Sequence, residues 1–162
     1  MGVADRPPSG LLRWALRAPI PFYRAGLGRL FGHRLLYLAH RGRKSGARRE
    51  VIVEVVRRRG AELTVVAAWG GVPQWYRNLV AGPAIEVRCG GQRWREPAAR
   101  FLDTGELDEV LRAYHDSHPG AWAKIGPRLG FPADPGDPRW TEAITKVHGV
   151  TFTPAGEERS PR

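Results

Sequence analysis

Residues 42–46 of this 162-residue chain, Gly-Arg-Lys-Ser-Gly, have the composition of an anion-binding turn. The two glycines allow backbone amides to converge on a ligand, Arg43 and Lys44 supply charge, and Ser45 supplies a hydroxyl group. The segment is not a Walker phosphate loop, because the earlier glycine is missing and the segment is predicted to join two strands. It suits a phosphate group, and a solvated basic hairpin tip is an equally good interpretation of the pattern alone.

A second segment with binding chemistry is residues 70–79, Gly-Gly-Val-Pro-Gln-Trp-Tyr-Arg-Asn-Leu, which follows a predicted strand. Paired glycines after a strand let a ligand approach the backbone closely. Trp75 and Tyr76 could flank a flat heterocycle, and Asn78 can both donate and accept hydrogen bonds. A core tryptophan followed by a capping loop is the alternative that the pattern leaves open.

The chain shows no nucleophilic triad and no metal-binding pattern. Its one cysteine, Cys89, excludes an internal disulfide framework and a cysteine-rich zinc site. The histidines lack the spacing of a metalloprotease helix and form no cluster with the cysteine; they are His33, His40, His115, His118 and His148. We therefore expect no metal.

The net charge of +10 is concentrated in the first third of the chain. Residues 1–60 hold 14 Lys and Arg against 3 Asp and Glu, whereas residues 61–162 hold 12 against 13. Such an excess can form a field that attracts an anion. No stretch reaches the roughly 18 apolar residues that a membrane-spanning helix needs, and no secretory signal is recognisable. We expect a cytoplasmic protein.

The N-terminal region is predicted to contain a flexible leader, residues 1–10, followed by a basic helical segment, residues 11–32. This segment could lie on an anionic membrane surface, which would make the protein membrane-associated, or it could cover one end of a sheet core. We favour the second interpretation, because periodic apolar residues usually pack inside a protein.

The remaining elements are mostly strands joined in hairpins. Strands are predicted at residues 35–39, 51–56, 63–68, 85–89, 92–102 and 147–153, with a short helix at 75–80. A longer helix is expected from Thr104, acting as the N-cap without a capping box, to about His118. Residues 119–140, rich in proline and glycine, are expected to wrap the surface, and residues 154–162 to form a disordered tail.

These elements predict a mainly β, α+β fold occupying residues 11–153 as a single domain. Because strands do not alternate regularly with helices, the pattern argues against a Rossmann fold. We expect an antiparallel sheet that closes toward a small barrel with helices packed outside.

Three segments together resemble the deazaflavin-dependent nitroreductase family in order and spacing. They are residues 40–49 (His-Arg-Gly-Arg-Lys-Ser-Gly-Ala-Arg-Arg), 67–71 (Ala-Ala-Trp-Gly-Gly) and 73–83 (Pro-Gln-Trp-Tyr-Arg-Asn-Leu-Val-Ala-Gly-Pro). The resemblance extends from about Tyr23 to Leu102 and more loosely to His118. It implies a split β-barrel of the flavin-reductase, FMN-binding-like kind that binds coenzyme F420, an 8-hydroxy-5-deazaflavin.

The resemblance also implies which residues contact the coenzyme. The residues that correspond to the family's phosphate contacts are Arg43, Lys44 and Ser45. The arginine that follows the second glycine of the turn corresponds to Arg49, and Arg48 is its neighbour. The residues expected beside the deazaflavin ring are Ala67, Ala68, Trp69, Gly70 and Gly71, with Trp75 and Asn78 from the Trp-x-x-Asn element.

The substrate side departs from the family pattern. The segment between Gly71 and Trp75 is short, and a tyrosine-rich stretch of the family is replaced here by residues 118–124, His-Pro-Gly-Ala-Trp-Ala-Lys. Nitroimidazole reduction therefore does not carry over. The candidates are Tyr76 and Trp122 for the substrate side and, unranked, Tyr114, His115 and His118 for proton donation.

The resulting hypothesis is an F420H2-dependent reductase that transfers a hydride to an electron-poor small molecule such as a quinone, an enone or a nitro compound. One alternative is an F420-binding carrier with little turnover, and another is an FMN-binding protein of the same barrel. A nucleic-acid-binding barrel ranks last, because aromatic residues do not interleave with the basic turn. Barrels of this type often pair, so a homodimer is also expected.

Overall fold

The computed structural model describes residues 20–67 and 72–156. Seven strands are present in this part of the chain: β1 (Leu35–Arg41), β2 (Arg48–Arg59), β3 (Glu62–Ala67), β4 (Ala84–Cys89), β5 (Gln92–Arg95), β6 (Ala98–Phe101) and β7 (His148–Thr153). They form one sheet in the order β5-β4-β1-β2-β3-β7-β6. Every neighbouring pair is antiparallel.

The helices are short and lie between or after the strands. They are α1 (Ile20–Arg24), a 3-10 turn (Gly28–Phe31), α2 (Gln74–Ala81), α3 (Thr104–Ser117), α4 (Pro119–Leu129) and α5 (Arg139–Ile144). The predicted helical segment, residues 11–32, is interrupted at Gly26, whose φ of 79° favours glycine. Across residues 20–67 and 72–156, no helix is long and apolar enough to cross a membrane.

The length and bend of β2 give the sheet its curl. Its first part pairs with β1 and its second part with β3, and the β3 pairing shifts register between Val55 and Arg57. An extra residue at such a bulge bends the strand and increases its twist. The two half-sheets that share β2 form the split β-barrel that the resemblance implies, so the expected α+β fold is confirmed.

Alternation along the strands sorts side chains between the barrel interior and the outer faces. The interior is built from buried aliphatic residues and is closed by Trp75 and Leu79 of α2; its strand residues include Leu36, Leu38, Val53, Val55, Val65, Val150 and Phe152. A second cluster lies between the sheet and α3 to α5. A third lies beneath α1 and includes Tyr23, Tyr37 and Ile52.

The prediction of one strand over residues 92–102 is wrong. The segment forms two strands, since β5 pairs with β4 whereas β6 pairs with β7. Between them Glu96 adopts a φ of 48°, and Pro97 follows with no backbone N–H to donate. This break sends the chain from one half-sheet to the other, and it makes seven strands where six were predicted.

The prediction that residues 119–140 wrap the surface is also wrong. Pro119 occupies the first turn of α4, where a missing N–H costs nothing. The helical segments are held by Trp122 and Trp140, whose rings stack with centroids 5.2 Å apart. Trp140 is fully buried, and its indole N–H donates to Asp108 Oδ1 at 2.6 Å. Burial of two tryptophans therefore outweighs a loop-like composition.

The N-cap of α3 lies one residue before the predicted N-cap. Asp103, not Thr104, is the N-cap, and it forms a capping box with Glu106. The Glu106 backbone N–H donates to Asp103 Oδ1 at 2.9 Å, and the Asp103 N–H donates to Glu106 Oε2 at 3.3 Å. The predicted leader, residues 11–19 of the predicted N-terminal helical segment and residues 157–162 of the predicted tail lie outside the described residues.

Candidate functional site

The turn between β1 and β2 is closed by its own backbone. The Gly42 N–H donates to the Ala47 carbonyl at 2.8 Å, and the Gly46 N–H donates to the Gly42 carbonyl at 2.7 Å. Gly46 has a φ of 66°, and a Cβ on Gly42 would lie 2.8 Å from Ser45 Oγ. The positive φ of Gly46 therefore favours glycine at that position, whereas a side chain at Gly42 would require the Ser45 hydroxyl to move.

The tip of this turn presents free hydrogen-bond donors. Within residues 20–67 and 72–156, the backbone amides of Lys44 and Ser45 have no acceptor, and the exposed Lys44 side chain has no ion-pair partner. Ser45 Oγ accepts from the Ala47 N–H at 3.3 Å, so its hydroxyl hydrogen can still donate. Successive amides with an adjacent ammonium and hydroxyl form a binding site for an anion.

Helix α2 fixes the turn through Asn78, which is only 7% exposed. Asn78 Oδ1 accepts from the Arg43 backbone N–H and from Arg43 Nη1, both at 3.1 Å. Arg43 Nη1 also donates to Gln74 Oε1 at 2.7 Å. The backbone N–H and the Nη1 group of Arg43 therefore hold the turn against the helix.

The other end of the Asn78 amide is satisfied by a buried histidine. Asn78 Nδ2 lies 3.1 Å from His40 Nδ1. Burial lowers the pKa of His40, and the charge of Arg49 lowers it further. The neutral imidazole can then accept the amide hydrogen at Nδ1. His40, Asn78 and Arg43 thus form one connected chain of hydrogen bonds from the strand to the turn.

Arg48 and Arg49 lie on opposite faces of β2. Arg49 shares the parity of Val51 and Val53, is paired across the strands with His40, and has no acidic partner in the described part of the chain. Arg48 instead donates to Tyr37 Oη and to Glu86 Oε2, each at 3.2 Å. Of the two predicted coenzyme contacts, only Arg49 lies beside the turn with its charge uncompensated.

Glu86 is the centre of an arginine cluster on that other face and is 4% exposed. Its carboxylate accepts from Arg88 Nε, from Arg93 Nε at 2.5 Å and from Arg48. Burial alone would raise the pKa of Glu86, but the hydrogen bonds and charges of these arginines lower it to about 2. The cluster is a structural ion network, and its members are already paired.

Of the predicted ring-binding residues, the structure describes Ala67, Trp75 and Asn78. Ala67 is buried at that end, and residues 68–71, including Ala68, Trp69, Gly70 and Gly71, lie outside the described residues. Trp75 is buried in the barrel interior. Tyr76 is partly buried, with its ring 5.3 Å from that of Phe101 and 4.9 Å from that of His148. Trp75 therefore packs inside the barrel, and Tyr76 forms an aromatic wall together with Phe101 and His148.

The predicted proton donors lie in the layer of α3 and α4, across the sheet from the barrel interior. Tyr114 Oη donates to Glu54 Oε1 at 2.9 Å, and burial together with this bond raises the pKa of Tyr114 to about 12. His118 stacks on the Tyr114 ring at 4.9 Å. His115 contacts Asp116 and the Ala133 carbonyl.

The structure does not bring Tyr114, His115 or His118 together with the β1–β2 turn. Trp122, predicted for the substrate side, is 3% exposed and packs among the aromatic residues of the helical layer. Trp122 therefore anchors α4 to the helical layer, and its predicted contact with the substrate stays a prediction. Residues 20–67 and 72–156 contain no group of three His, Cys, Asp or Glu that could hold a metal ion.

Sequence reasoning missed three residues of the site, namely His40, Gln74 and His148. The position of each residue relative to its neighbours in the sequence could have indicated the site. Gln74 precedes Asn78 by four residues on a helix, which places both on one face. His40 shares the parity of Leu36 and Leu38, and His148 that of Val150 and Phe152.

A family model describing the F420H2-dependent quinone reductases matches residues 17–124, about two-thirds of the chain. The chain belongs to this family and is an F420H2-dependent oxidoreductase whose cofactor is coenzyme F420. No curated protein matches it.

Solved structures of similar fold agree with the split barrel. A structure described as an F420-H2 dependent reductase (FDR-A) is 22% identical, with 75% of this chain and 95% of that chain covered and a TM-score of 0.50. One described as a domain-swapped dimer is 20% identical, with 88% and 99% covered and a TM-score of 0.52. The protein Atu2129 from Agrobacterium tumefaciens is 18% identical, with 86% and 56% covered and a TM-score of 0.50.

Proposed function

We propose that the protein transfers a hydride from F420H2 to a quinone or another flat, electron-poor acceptor, and that the β1–β2 turn holds the phosphate of the coenzyme. The observation that carries the assignment of the turn is that, among the described residues, the amides of Lys44 and Ser45 have no acceptor and the Lys44 ammonium has no acidic partner. Arg49 is a second cation without an acidic partner in that part of the chain.

The chemistry of these donors fits a phosphate group. A phosphate oxygen accepts several hydrogen bonds, and the turn offers two amides, one hydroxyl and one ammonium. Arg43 is assigned a holding role, because Asn78 and Gln74 already accept from its guanidinium. The role of Arg48 is likewise structural, since it is bound to Glu86 and Tyr37.

The chain needs to supply binding and orientation more than reactive groups. When bound, reduced deazaflavin supplies the hydride. Ala67 is a small buried residue at the end of β3, Trp75 is buried beside Tyr76, and we assign the partly buried Tyr76 ring to contact with the flat ligand. We assign the proton that the acceptor needs to solvent rather than to Tyr114, whose hydroxyl already donates to Glu54 on the other face of the sheet.

A quinone is the preferred acceptor class, because the family is named for quinone reduction. Enones and nitro compounds are flat and electron-poor as well, and they are the next acceptors to compare.

A domain-swapped dimer among the similar structures supports a homodimer as the assembly. Light scattering of the purified protein tests that assembly. We also propose a single domain over residues 11–153 acting in the cytoplasm.

The test is a titration of the purified protein with F420, followed by the fluorescence of the coenzyme, with FMN as competitor. Binding that FMN does not displace, followed by F420H2 oxidation with 1,4-naphthoquinone, supports the proposal. Preference for FMN would overturn the coenzyme assignment. Tight F420 binding without oxidation across quinones, enones and nitro compounds would favour a carrier.

A further inference from the structure

His148, the first residue of β7, lies at one end of the β3–β7 pairing and contacts Tyr76, and its imidazole nitrogens have no assigned function. It is the register partner of Ala67, the last residue of β3. Both residues have the parity of the interior side chains, because Ala67 follows Val65 and His148 precedes Val150 by two residues. The imidazole therefore stands where the predicted ring-binding residues begin.

The imidazole of His148 is partly buried. Its contact is the Tyr76 ring, 4.9 Å away and inclined by 32°. Neither ring nitrogen has a hydrogen-bond partner among residues 20–67 and 72–156. A partly buried polar group without a protein partner is poised to bond to water or a ligand.

The protonation state of His148 suits a neutral hydrogen-bonding role. Burial lowers the pKa of His148 below its ordinary value of 6.5. At pH 7 the imidazole is thus uncharged and carries one N–H donor and one acceptor nitrogen. A neutral donor can approach a carbonyl oxygen of an uncharged aromatic ring without the desolvation cost of a cation.

Helix α2 connects this imidazole with the proposed phosphate site. Tyr76 on one side of the helix contacts His148 and Phe101. Gln74 and Asn78 on another side bind Arg43 of the β1–β2 turn. Because Tyr76 is two residues from both Gln74 and Asn78, it points to the opposite side of the helix. A ligand held by the turn therefore reaches Tyr76 and His148 only if it extends past α2.

We propose that His148 donates a hydrogen bond to a carbonyl oxygen of the flat ring that rests on Tyr76. This inference rests on the proposed function, because a deazaflavin and a quinone both carry such a carbonyl. His148 is then a ligand-binding residue, and its N–H contributes to selection of carbonyl-bearing rings.

Two variants separate hydrogen bonding from packing. His148→Phe keeps a ring against Tyr76 and removes both nitrogens, whereas His148→Gln keeps an N–H donor. His33→Phe is the matched control, because His33 is exposed and lies over Gly90 at the β4–β5 turn. Thermal melts establish that each variant is folded before ligands are compared.

The measurements are the F420 dissociation constant and the KM for 1,4-naphthoquinone. Loss of one neutral hydrogen bond predicts an increase of about three- to tenfold in one of these two constants for His148→Phe. A change in the dissociation constant assigns the carbonyl to the deazaflavin, and a change in KM alone assigns it to the acceptor. His148→Gln should recover most of the loss, and His33→Phe should match the unmodified protein.

Nuclear magnetic resonance of 15N-histidine-labelled protein gives a readout without turnover. Addition of oxidised F420 alone, or of 1,4-naphthoquinone alone, should shift the imidazole nitrogen signals of His148 and leave those of His33 in place. A folded His148→Phe protein with both constants unchanged, while the unmodified protein binds F420 and turns over, overturns the inference alone. An unmodified protein that neither binds nor oxidises F420H2 overturns the proposed function as well.

Discussion

Arg48 donates to Glu86 Oε2 at 3.2 Å, whereas its neighbour Arg49 points to the opposite face of β2 and has no acidic partner among the described residues. Two adjacent arginines of one motif thus have separate tasks. One completes a network of ion pairs beneath α1, and the other contributes an unpaired charge beside the β1–β2 turn.

The separation of these arginines can be tested by a pair of alanine variants. Arg49→Ala should raise the F420 dissociation constant about tenfold or more, because a charged hydrogen bond contributes about 1.5–3 kcal/mol. Arg48→Ala should leave that constant nearly unchanged and lower the free energy of unfolding by about 1 kcal/mol or less, since this arginine is half exposed. Fluorescence titration and urea unfolding measure the two effects. Equal losses of affinity would contradict the assignment of faces.

Lys44 is expected to contribute to affinity through charge at the turn tip. Lys44→Ala should raise the F420 dissociation constant by about tenfold or more, for the same energetic reason. Lys124→Ala is the matched control, because Lys124 is an exposed lysine of α4. Raising the salt concentration should weaken binding to the unmodified protein more than to Lys44→Ala. Identical titrations for the two variants would remove Lys44 from the site.

Asn78 is expected to couple stability with binding. Asn78→Ala removes the acceptor of the Arg43 N–H and leaves His40 Nδ1 without its donor, so the free energy of unfolding should fall by about 1–3 kcal/mol. F420 affinity should fall as well, because the turn loses its attachment to α2. Gln74→Ala, which removes one exposed contact of the same arginine, should cost about 1 kcal/mol or less. Equal stability of the two variants would show that the buried amide does not hold the turn.

The Glu86 network predicts a loss of stability in acid. Because the pKa of Glu86 is about 2 in the folded protein against an ordinary 4.5, its contribution is complete above about pH 4.5 and disappears as the pH falls toward 2. The linkage corresponds to about 3 kcal/mol at neutral pH. Urea unfolding between pH 7 and pH 3 should show a shallower dependence on pH for Glu86→Gln than for Glu109→Gln, an exposed control in α3. Parallel curves would contradict the shifted pKa.

Two glycine variants test the contact between the sheet and α3. A Cβ on Gly149 would lie 2.6 Å from Leu102 Cδ1 and 2.9 Å from Leu107 Cδ1, so Gly149→Ala should destabilise the protein by about 1–3 kcal/mol. Gly120 in α4 has open space around it, and Gly120→Ala should be neutral or stabilising by up to about 1 kcal/mol. Thermal unfolding measures the stability of both variants, and a Gly149→Ala protein as stable as Gly120→Ala would contradict the close contact at Gly149.

The parts of the fold with strong local signals could be predicted from the sequence. β-branched residues at 51–56 and the glycine pair at 90–91 predict strands and a hairpin that the structure contains. The break at Glu96 and Pro97 was missed, because continuous apolar and basic residues on both sides conceal a change of half-sheet. Whether a strand continues or changes partner depends on pairing across the sheet rather than on local composition.

Tertiary packing explains the other differences. Residues 119–140 form helices because Trp122 and Trp140 are buried against each other, which local helix propensity does not report. For the candidate site, the turn motif points to Lys44 and Ser45. The alternation of side chains along β2 predicts that Arg48 and Arg49 lie on opposite faces of the strand. The contact between Tyr76 and His148 joins residues 72 positions apart, so no local pattern could have revealed it.

Helix α2 contacts the β1–β2 turn through Gln74 and Asn78 and the aromatic wall through Tyr76, which places the two halves of the site about one helix width apart, roughly 10 Å. A ligand gains both sets of contacts only if its anionic group and its ring are separated by a linker of about that length. A bare phosphate or a ring without a side chain is too short. If the β1–β2 turn and Tyr76 both bind the coenzyme, as proposed, the eight residues of α2 set the distance between these contacts, and fragments of the coenzyme should bind more weakly than the whole molecule.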